Sequence, residues 1–405
     1  MTIETPIEIP LNDLYFNYID TLSNKFHYIT PDLEEGMSLP FELIKQGRKQ
    51  KINPVIQAAR PEHAREIVKI YKEIYHGTYP YKEMEDELEV KHMIEQNDHS
   101  FLIFKDNKGT IMGCFTFVFN FEEKRAYLRG YNVRPKYQKY FDVIKGFLGS
   151  LIGILYLYRN KILVWYAENR TAHAASQYFC QVAGVKNVAF LPNKDIFLRK
   201  IESDMMHVGY NKDALTTFRS REIPQIIPSI INCYAFSNKR YSLGKADIVN
   251  PKLILKDQVM WELKSKINVR IKKKKFNYQI IKFTLSNTDS YLKCLYTPMV
   301  KNIEKIEYNI DKLEELHVFL TELNKFCRLK NIRYAECLVS AHEPSHQQIF
   351  LKAGFQPRGY IPSWKYNSVE KKFTDHVMFN WFVPPLSKNI QLIEEGWELL
   401  KYLNL

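Results

Sequence analysis

The chain has no paired cysteines, no long apolar run and no opening of the kind a secretory leader shows. Its six cysteines, Cys114, Cys180, Cys233, Cys294, Cys327 and Cys337, stand singly without a CxxC pair. That spacing argues against a disulfide frame or a zinc knuckle and for reduced core thiols in a cytoplasmic protein. The longest apolar stretch, 146–158, lies between Lys145 and Arg159. A bilayer needs about 20 residues, so a buried helix is expected there and no membrane partner. Residues Met1 to Pro6 have neither a basic start nor an apolar core, so no signal peptide is expected. A dense basic stripe is also missing. The net charge of +13 is spread along the chain apart from Lys272 to Lys275, which reads as a solvated hairpin end. A nucleic-acid surface would want interleaved aromatics and a broader patch.

What the chain does have is a repeat. Ala172-His173-Ala174-Ala175-Ser176-Gln177 runs through an apolar stretch to Gly184, and Pro192 follows eight positions later. Ala341-His342-Glu343-Pro344-Ser345-His346-Gln347 runs to Gly354, and Pro362 again follows eight positions later. A unit this long is a duplicated domain, not a solenoid repeat. Two domains also suit 405 residues.

The element order repeats as well. Val55 to Arg60 reads as a strand. Pro61 then starts a helix whose Ile67, Ile70, Tyr71, Ile74 and Tyr75 form one apolar stripe. An acidic helix near 83–96 and three strands, 101–105, 111–121 and 124–134, form an antiparallel meander with short turns. A helix over 141–158, an apolar strand over 162–167 and a helix over 171–183 ending at Gly184 follow. Short closing strands are expected at 188–190 and 195–198. The second half offers strands at 277–285, 291–296 and 303–310, a helix at 312–329, a strand at 334–339, the His-Ser-Gln helix and a strand at 376–382. The expected division is a 1–52 extension, a 53–203 domain, a 225–383 domain and a 384–405 amphipathic helix bearing Ile390, Ile393, Trp397 and Leu400.

Val133-Arg134-Pro135-Lys136-Tyr137-Gln138, the apolar strand ending in Glu168-Asn169-Arg170, and Gly184 resemble the GCN5-related N-acetyltransferase (GNAT) family. Thr78-Tyr79-Pro80 is similar to a stretch of some amino-acid acetyltransferases. The resemblance covers about 53–200 and, more faintly, 265–383. It implies an α/β fold of two tandem GNAT-like domains with mixed central sheets. It also implies transfer from acetyl-CoA or another acyl-CoA to an amine of a small molecule, peptide or protein, with no metal. In that fold two parallel strands splay and the coenzyme arm enters between them. The helix N-terminus behind the loop then offers N–H groups to the pyrophosphate. Carried over, Val133, Gln138, Lys139, Tyr140, Phe141 and Asp142 hold the coenzyme. Asn169 and His173 line its thiol end, and Glu122, Glu123 or Tyr131 stand near the amine.

The loop departs from the family pattern. Gln138 is kept, but Phe141 and Val143 stand where small residues let phosphate approach the backbone, and Asp142 adds repulsion. In the second copy the loop reads Glu307 to Lys312, with no glycine, and that copy is read as non-catalytic. The alternative for the whole chain is an inactive tandem binding or assembly module. Trp364 and Tyr366 of the second copy are expected either to wall the acceptor cleft or to be ordinary core. The string His342-Glu343-Pro344-Ser345-His346 imitates a zinc-protease motif. Proline belongs only in a first helical turn, which would leave His342 outside the helix.

Overall fold

The computed structural model describes residues 7–44 and 51–405. Residues 1–6, on which the reading of the N-terminus rests, lie outside them. The chain forms two compact units. The first comprises 1–169, 174–187 and 207–217, and the second 170–173, 188–206 and 218–405.

In chain order the strands of the first half are β1 Ile7–Pro10, β2 Phe41–Ile44, β3 Val55–Ala58, β4 His99–Lys105, β5 Ile111–Asn120, β6 Arg125–Val133, β7 Val164–Arg170, β8 Val185–Phe197 and β9 Lys200–Tyr210. The helices are α1 Ile19–Lys25, α2 Ala64–Tyr75, α3 Glu87–Ile94, α4 Val143–Tyr158 and α5 Ala175–Val182. The second half carries α6 Lys212–Leu215, β10 Gln225–Ile226, α7 Ile231–Tyr241, β11 Asp247–Ile248, α8 Asp257–Ser265, β12 Ile267–Lys273, β13 Gln279–Leu285, β14 Tyr291–Thr297 and β15 Asn302–Asn309. It ends with α9 Leu313–Leu329, β16 Tyr334–Ser340, α10 Pro344–Lys352, β17 Gln356–Asn367, β18 Lys372–Phe382 and α11 Glu394–Leu403.

In the first unit β3, β4, β5 and β6 form an antiparallel meander, and β7 lies parallel to β6. In the second, β12 to β15 form the same meander, β16 lies parallel to β15, and β18 and β17 complete the sheet. The two parallel crossovers run through α4 and α9. The expected mixed α/β fold is therefore present in both copies. The repeated glycines do the same job twice: Gly184 and Gly354 end α5 and α10 with φ of +79° and +94°, a conformation side chains resist. The apolar run 146–158 is the buried α4, which fills the first core with Phe147, Leu148, Leu151 and Ile154. Leu33, Leu39 and Phe41 of the N-terminal segment join that cluster. Among the described residues no helix is long and apolar enough to cross a membrane.

The closing strands are longer than the periodicity indicates. The β8–β9 hairpin reaches Tyr210, and its 188–206 portion packs with the second unit. There Ala189 pairs with Gly359 of β17. Its polar residues are buried by specific partners. Asn193 donates to the carbonyls of Val383 and Pro385 at 3.3 and 2.9 Å. Lys194 reaches Glu336 at 3.0 Å and Glu304 at 3.9 Å.

All six cysteines are buried and unpaired. Burial pushes the thiols of Cys114, Cys180, Cys233 and Cys327 up to about 12. Since the thiolate is the reactive form, a thiol reagent at pH 8 should titrate essentially none of them in the native chain and all six in denaturant. Rapid native reaction of even one would contradict this burial.

Candidate active site

The site begins where β6 and β7 part. Arg125, Ala126 and Tyr127 pair with Val164, Trp165 and Tyr166, and no later residue of either strand continues the ladder. β6 runs on to Val133 and β7 to Arg170, so the strands diverge over their C-terminal halves. Tyr127 and Tyr166 stack at 4.9 Å where the pairing stops.

β6 is also bulged within that divergence. Cys114 of β5 faces Asn132, but Thr116 faces Arg129, so Phe115 alone spans Gly130 and Tyr131. Bulges of this kind re-aim side chains beside active sites. Gly130 has φ +63°, and a Cβ there would lie 1.9 Å from the Tyr71 hydroxyl. The bulge turns Tyr131 toward α4. Its ring packs against Phe104, Phe115, Phe147 and Phe179, and its hydroxyl donates to the Val143 carbonyl at 2.5 Å. Burial raises that hydroxyl well above the ordinary tyrosine range.

On the other face of the same strands lies a polar aromatic cluster. Tyr71, Tyr75 and Tyr79 contact one another at 4.6–6.0 Å. Arg129 pairs with Glu83 at 2.7 Å and lies over Tyr81 at 4.8 Å. Tyr75 donates to Asn132 Oδ1 at 3.3 Å. Tyr71 Oη, Thr116 Oγ1 and Asn132 Nδ2 are buried with no hydrogen-bond partner among the described residues. None of these three was singled out for chemistry in the sequence. Tyr71 read as one more residue of the α2 stripe.

At the end of β7, Asn169 Nδ2 donates to Cys180 Sγ at 3.3 Å and to His207 Nδ1 at 3.0 Å. All three are buried. The thiol-end asparagine expected from the sequence thus has two partners that spacing did not reveal. His173 is exposed in the turn before α5, and partial burial with the charge of Arg170 lowers its pKa. Glu122 is exposed in the β5–β6 turn, at the paired end of β6 and away from the bulge.

The loop after β6 is closed upon itself. Val133 is buried, and its carbonyl accepts from Gln138 Nε2 at 3.1 Å. Gln138, Lys139 and Tyr140 are exposed, whereas Phe141 is fully buried against Phe104. Ile52 lies beside the loop, donating to the Tyr140 carbonyl at 2.7 Å and accepting from the Asp142 amide at 3.1 Å. The buried Asp142 carboxylate accepts from the Lys145 amide at 3.2 Å and so caps α4. In the second unit Glu315 accepts from the amides of Asp311 and Lys312 at 2.8 and 3.1 Å ahead of α9. The two caps run in opposite directions: Asp142 stands ahead of α4 and holds an amide of its first turn, whereas Glu315 stands in the first turn of α9 and holds the two amides ahead of it.

The second unit closes its strand gap too. Pairing of β15 and β16 ends after Ile303 and Ala335. One residue further, Glu304 and Glu336 converge on Lys194. Pro344 opens α10, leaving His342 before it, so the two histidines of the zinc-like string do not share a helical face. Trp364 is buried, and Tyr366 packs on Phe373 at 5.0 Å.

Residues 64–140 match the family model described as Acetyltransferase (GNAT) family. No curated protein matches the chain. Among solved structures, a spermidine N-acetyltransferase from Vibrio cholerae is 14% identical, with a TM-score of 0.33 over 40% of this chain and 97% of its own. A ribosomal-protein alanine acetyltransferase from Vibrio fischeri is also 14% identical, with a TM-score of 0.35 over 44% of this chain and 98% of its own. Likenesses of that size bear on neither substrate nor mechanism. The matched segment runs from α2 through the bulged strand to the loop ahead of α4, and over those residues the first unit is similar to the acetyltransferase (GNAT) family.

Proposed function

We propose that the first unit is an acyl-CoA-dependent N-acyltransferase acting on an amine, working in the cytoplasm, with the second unit non-catalytic. The observation that carries the reading is the divergence of β6 from β7 beside a bulge, within a segment that matches the family model. A pantetheine arm is extended and rich in amide groups, and unpaired strand edges supply its hydrogen bonds. Asn169, with Cys180 and His207, would lie toward the thiol. In the second unit β15 and β16 also part, and there Lys194 joins Glu304 to Glu336 at the point of parting.

The pyrophosphate end fits less well. Asp142 already caps α4 and would repel a phosphate. One specific observation, the Asp142 carboxylate on the Lys145 amide in the first turn of α4, favours the second reading of an inactive binding module. Calorimetry with acetyl-CoA, followed by detection of released thiol across a panel of amines, separates the two. The first reading expects binding and thiol release, and the second expects neither at millimolar coenzyme.

Asp142→Asn sharpens the test. Asparagine caps helices about as well as aspartate, so stability should hold. Removing a charge at a helix start is worth about 1 kcal/mol, so acetyl-CoA should bind several-fold to about tenfold more tightly. Unchanged affinity would mean that the pyrophosphate does not approach this loop.

A further inference from the structure

We propose that the open edge of β12, in the second unit, docks an acidic, extended segment of a partner protein, which joins the sheet as a further strand. β12 stands at the end of its sheet and pairs with β13 alone among the described residues. The Lys274 amide donates to the Tyr278 carbonyl at 2.7 Å, and the Ser286 amide to the Lys266 carbonyl at 3.1 Å. Hydrogen bonding alternates along an antiparallel pair. The N–H and C=O groups of Val269, Ile271 and Lys273 therefore face away from β13, toward the open edge. Nearly all of β12 is exposed, and Val269 and Ile271 are about half exposed despite being apolar. Such an edge is a template for another strand.

The first copy shows what this edge takes. There β3, which opens the meander as β12 does, is paired on its outer side by Met37, which exchanges both backbone hydrogen bonds with Ile56 at 2.9 and 2.7 Å. In the covering segment Met37, Leu39 and Phe41 are buried and alternate with exposed Ser38, Pro40 and Glu42. From Pro31 to Ile44 it carries Asp32, Glu34, Glu35 and Glu42 but no lysine or arginine. Among the described residues no segment covers β12 in this way. The charge of β12 complements a segment of that kind. From Lys266 to Leu285 the hairpin carries Arg270, Lys282 and the run Lys272 to Lys275 but no acidic residue. Arg270 stands directly across from Lys282, and Lys282 from Lys293. Like charges directly opposite one another weaken a sheet. Glu307 neutralises Lys293 at 2.7 Å, which leaves Arg270 and Lys282 for carboxylates of the partner. Apolar side chains of the added strand then lie on the other face, beside Val269 and Ile271. The same cations keep a second copy of β12 from pairing here.

The test uses the full chain and a labelled synthetic peptide of alternating glutamate and valine. Fluorescence anisotropy is expected to show binding that weakens as salt is raised, and hydrogen exchange should slow in 267–273 when the peptide is bound. Val269→Pro removes an amide that faces the open edge and leaves the bonds from β12 to β13 in place. It should weaken binding at least about tenfold, the worth of one or two lost hydrogen bonds. Arg270→Glu combined with Lys272→Glu leaves the backbone alone and should weaken binding as well. The same peptide N-methylated at every amide keeps its charge, loses its donors and should not bind. Equal binding of the methylated and unmethylated peptides overturns the proposal, because charge alone then accounts for it. Failure of the unmethylated peptide to bind overturns it too, as does unchanged exchange in β12. Displacement of the peptide by oligothymidylate at a lower concentration than the peptide itself requires also overturns it, and assigns the edge to nucleic acid. Circular dichroism checks the fold of each variant; if Val269→Pro does not fold, the charge-reversed variant and the methylated peptide decide the question.

Discussion

Lys194→Met is expected to destabilise the second unit by about 3–5 kcal/mol, the range for breaking a buried ion pair from one side. Lys194 is 1% exposed and lies 3.0 Å from Glu336, with Glu304 at 3.9 Å. Tyr334 donates to the same Glu336 carboxylate at 2.7 Å. Asn302 and Arg333 hold the Lys194 carbonyl. Methionine fills nearly the same volume, so packing is preserved and the loss is electrostatic. Two carboxylates are then left without their cation. Adding Glu336→Gln should recover much of the loss. Denaturant titrations of the single and double variants measure both effects. A Lys194→Met loss below about 1 kcal/mol would show that these charges are solvated and the gap is open.

This cluster also shows where the sequence stops being legible. The repeat located α5 and α10, their terminal glycines and the strands after them, because glycine at positive φ and an amphipathic helix leave local marks. The antiparallel meanders and parallel crossovers followed from short turns and intervening helices. The β8–β9 hairpin did not, since Asn193, Lys194 and Asp195 look like a solvated turn. They are buried because Glu336, Asn302, Val383 and Pro385 satisfy them from more than a hundred residues away. Periodicity treats a polar residue as exposed and has no means of finding a distant partner. The C-terminal helix begins at Glu394, so Ile390 lies ahead of it, yet Ile390 still packs on the cluster of Phe190, Phe236, Leu399 and Leu400.

The site divides along the same line. Asn169 was legible as the polar end of an apolar strand. His207 was not, because it lies 38 residues on and inside an unexpected strand. Phe141 and Asp142 were legible as misfits for a phosphate loop. That Ile52 would tie the loop shut was not, since a single bridge has no pattern. Tyr71 carried the opposite error: its spacing marks it as core, and it is core, but spacing says nothing of its hydroxyl, which is buried with no hydrogen-bond partner among the described residues. Residue type and period describe whole side chains, whereas hydrogen bonding is decided atom by atom.

Gly130→Ala is expected to cost about 2–5 kcal/mol, and Tyr71→Phe should relieve a large part of that cost. Two separate penalties add in the single variant. One is backbone: φ at Gly130 is +63°, and a left-handed conformation costs a residue with a Cβ roughly 1–2 kcal/mol. The other is steric, because the new methyl would lie 1.9 Å from Tyr71 Oη and 3.0 Å from its Cζ. Tyr71 is fully buried, with Tyr75 and Tyr79 rings at 6.0 and 4.9 Å, and overpacking of that kind costs about 1–3 kcal/mol. Removing the hydroxyl in Tyr71→Phe leaves only the longer contact, which a small shift absorbs, while the backbone penalty stays. The double-mutant cycle should therefore give a favourable coupling of about 1–2 kcal/mol, within the range for residues in contact. Additive losses would mean that Tyr71 does not reach the bulge and that its hydroxyl stands elsewhere than over Gly130. A coupling that abolishes the loss altogether would mean that Gly130 tolerates a side chain and that the bulge needs no left-handed residue.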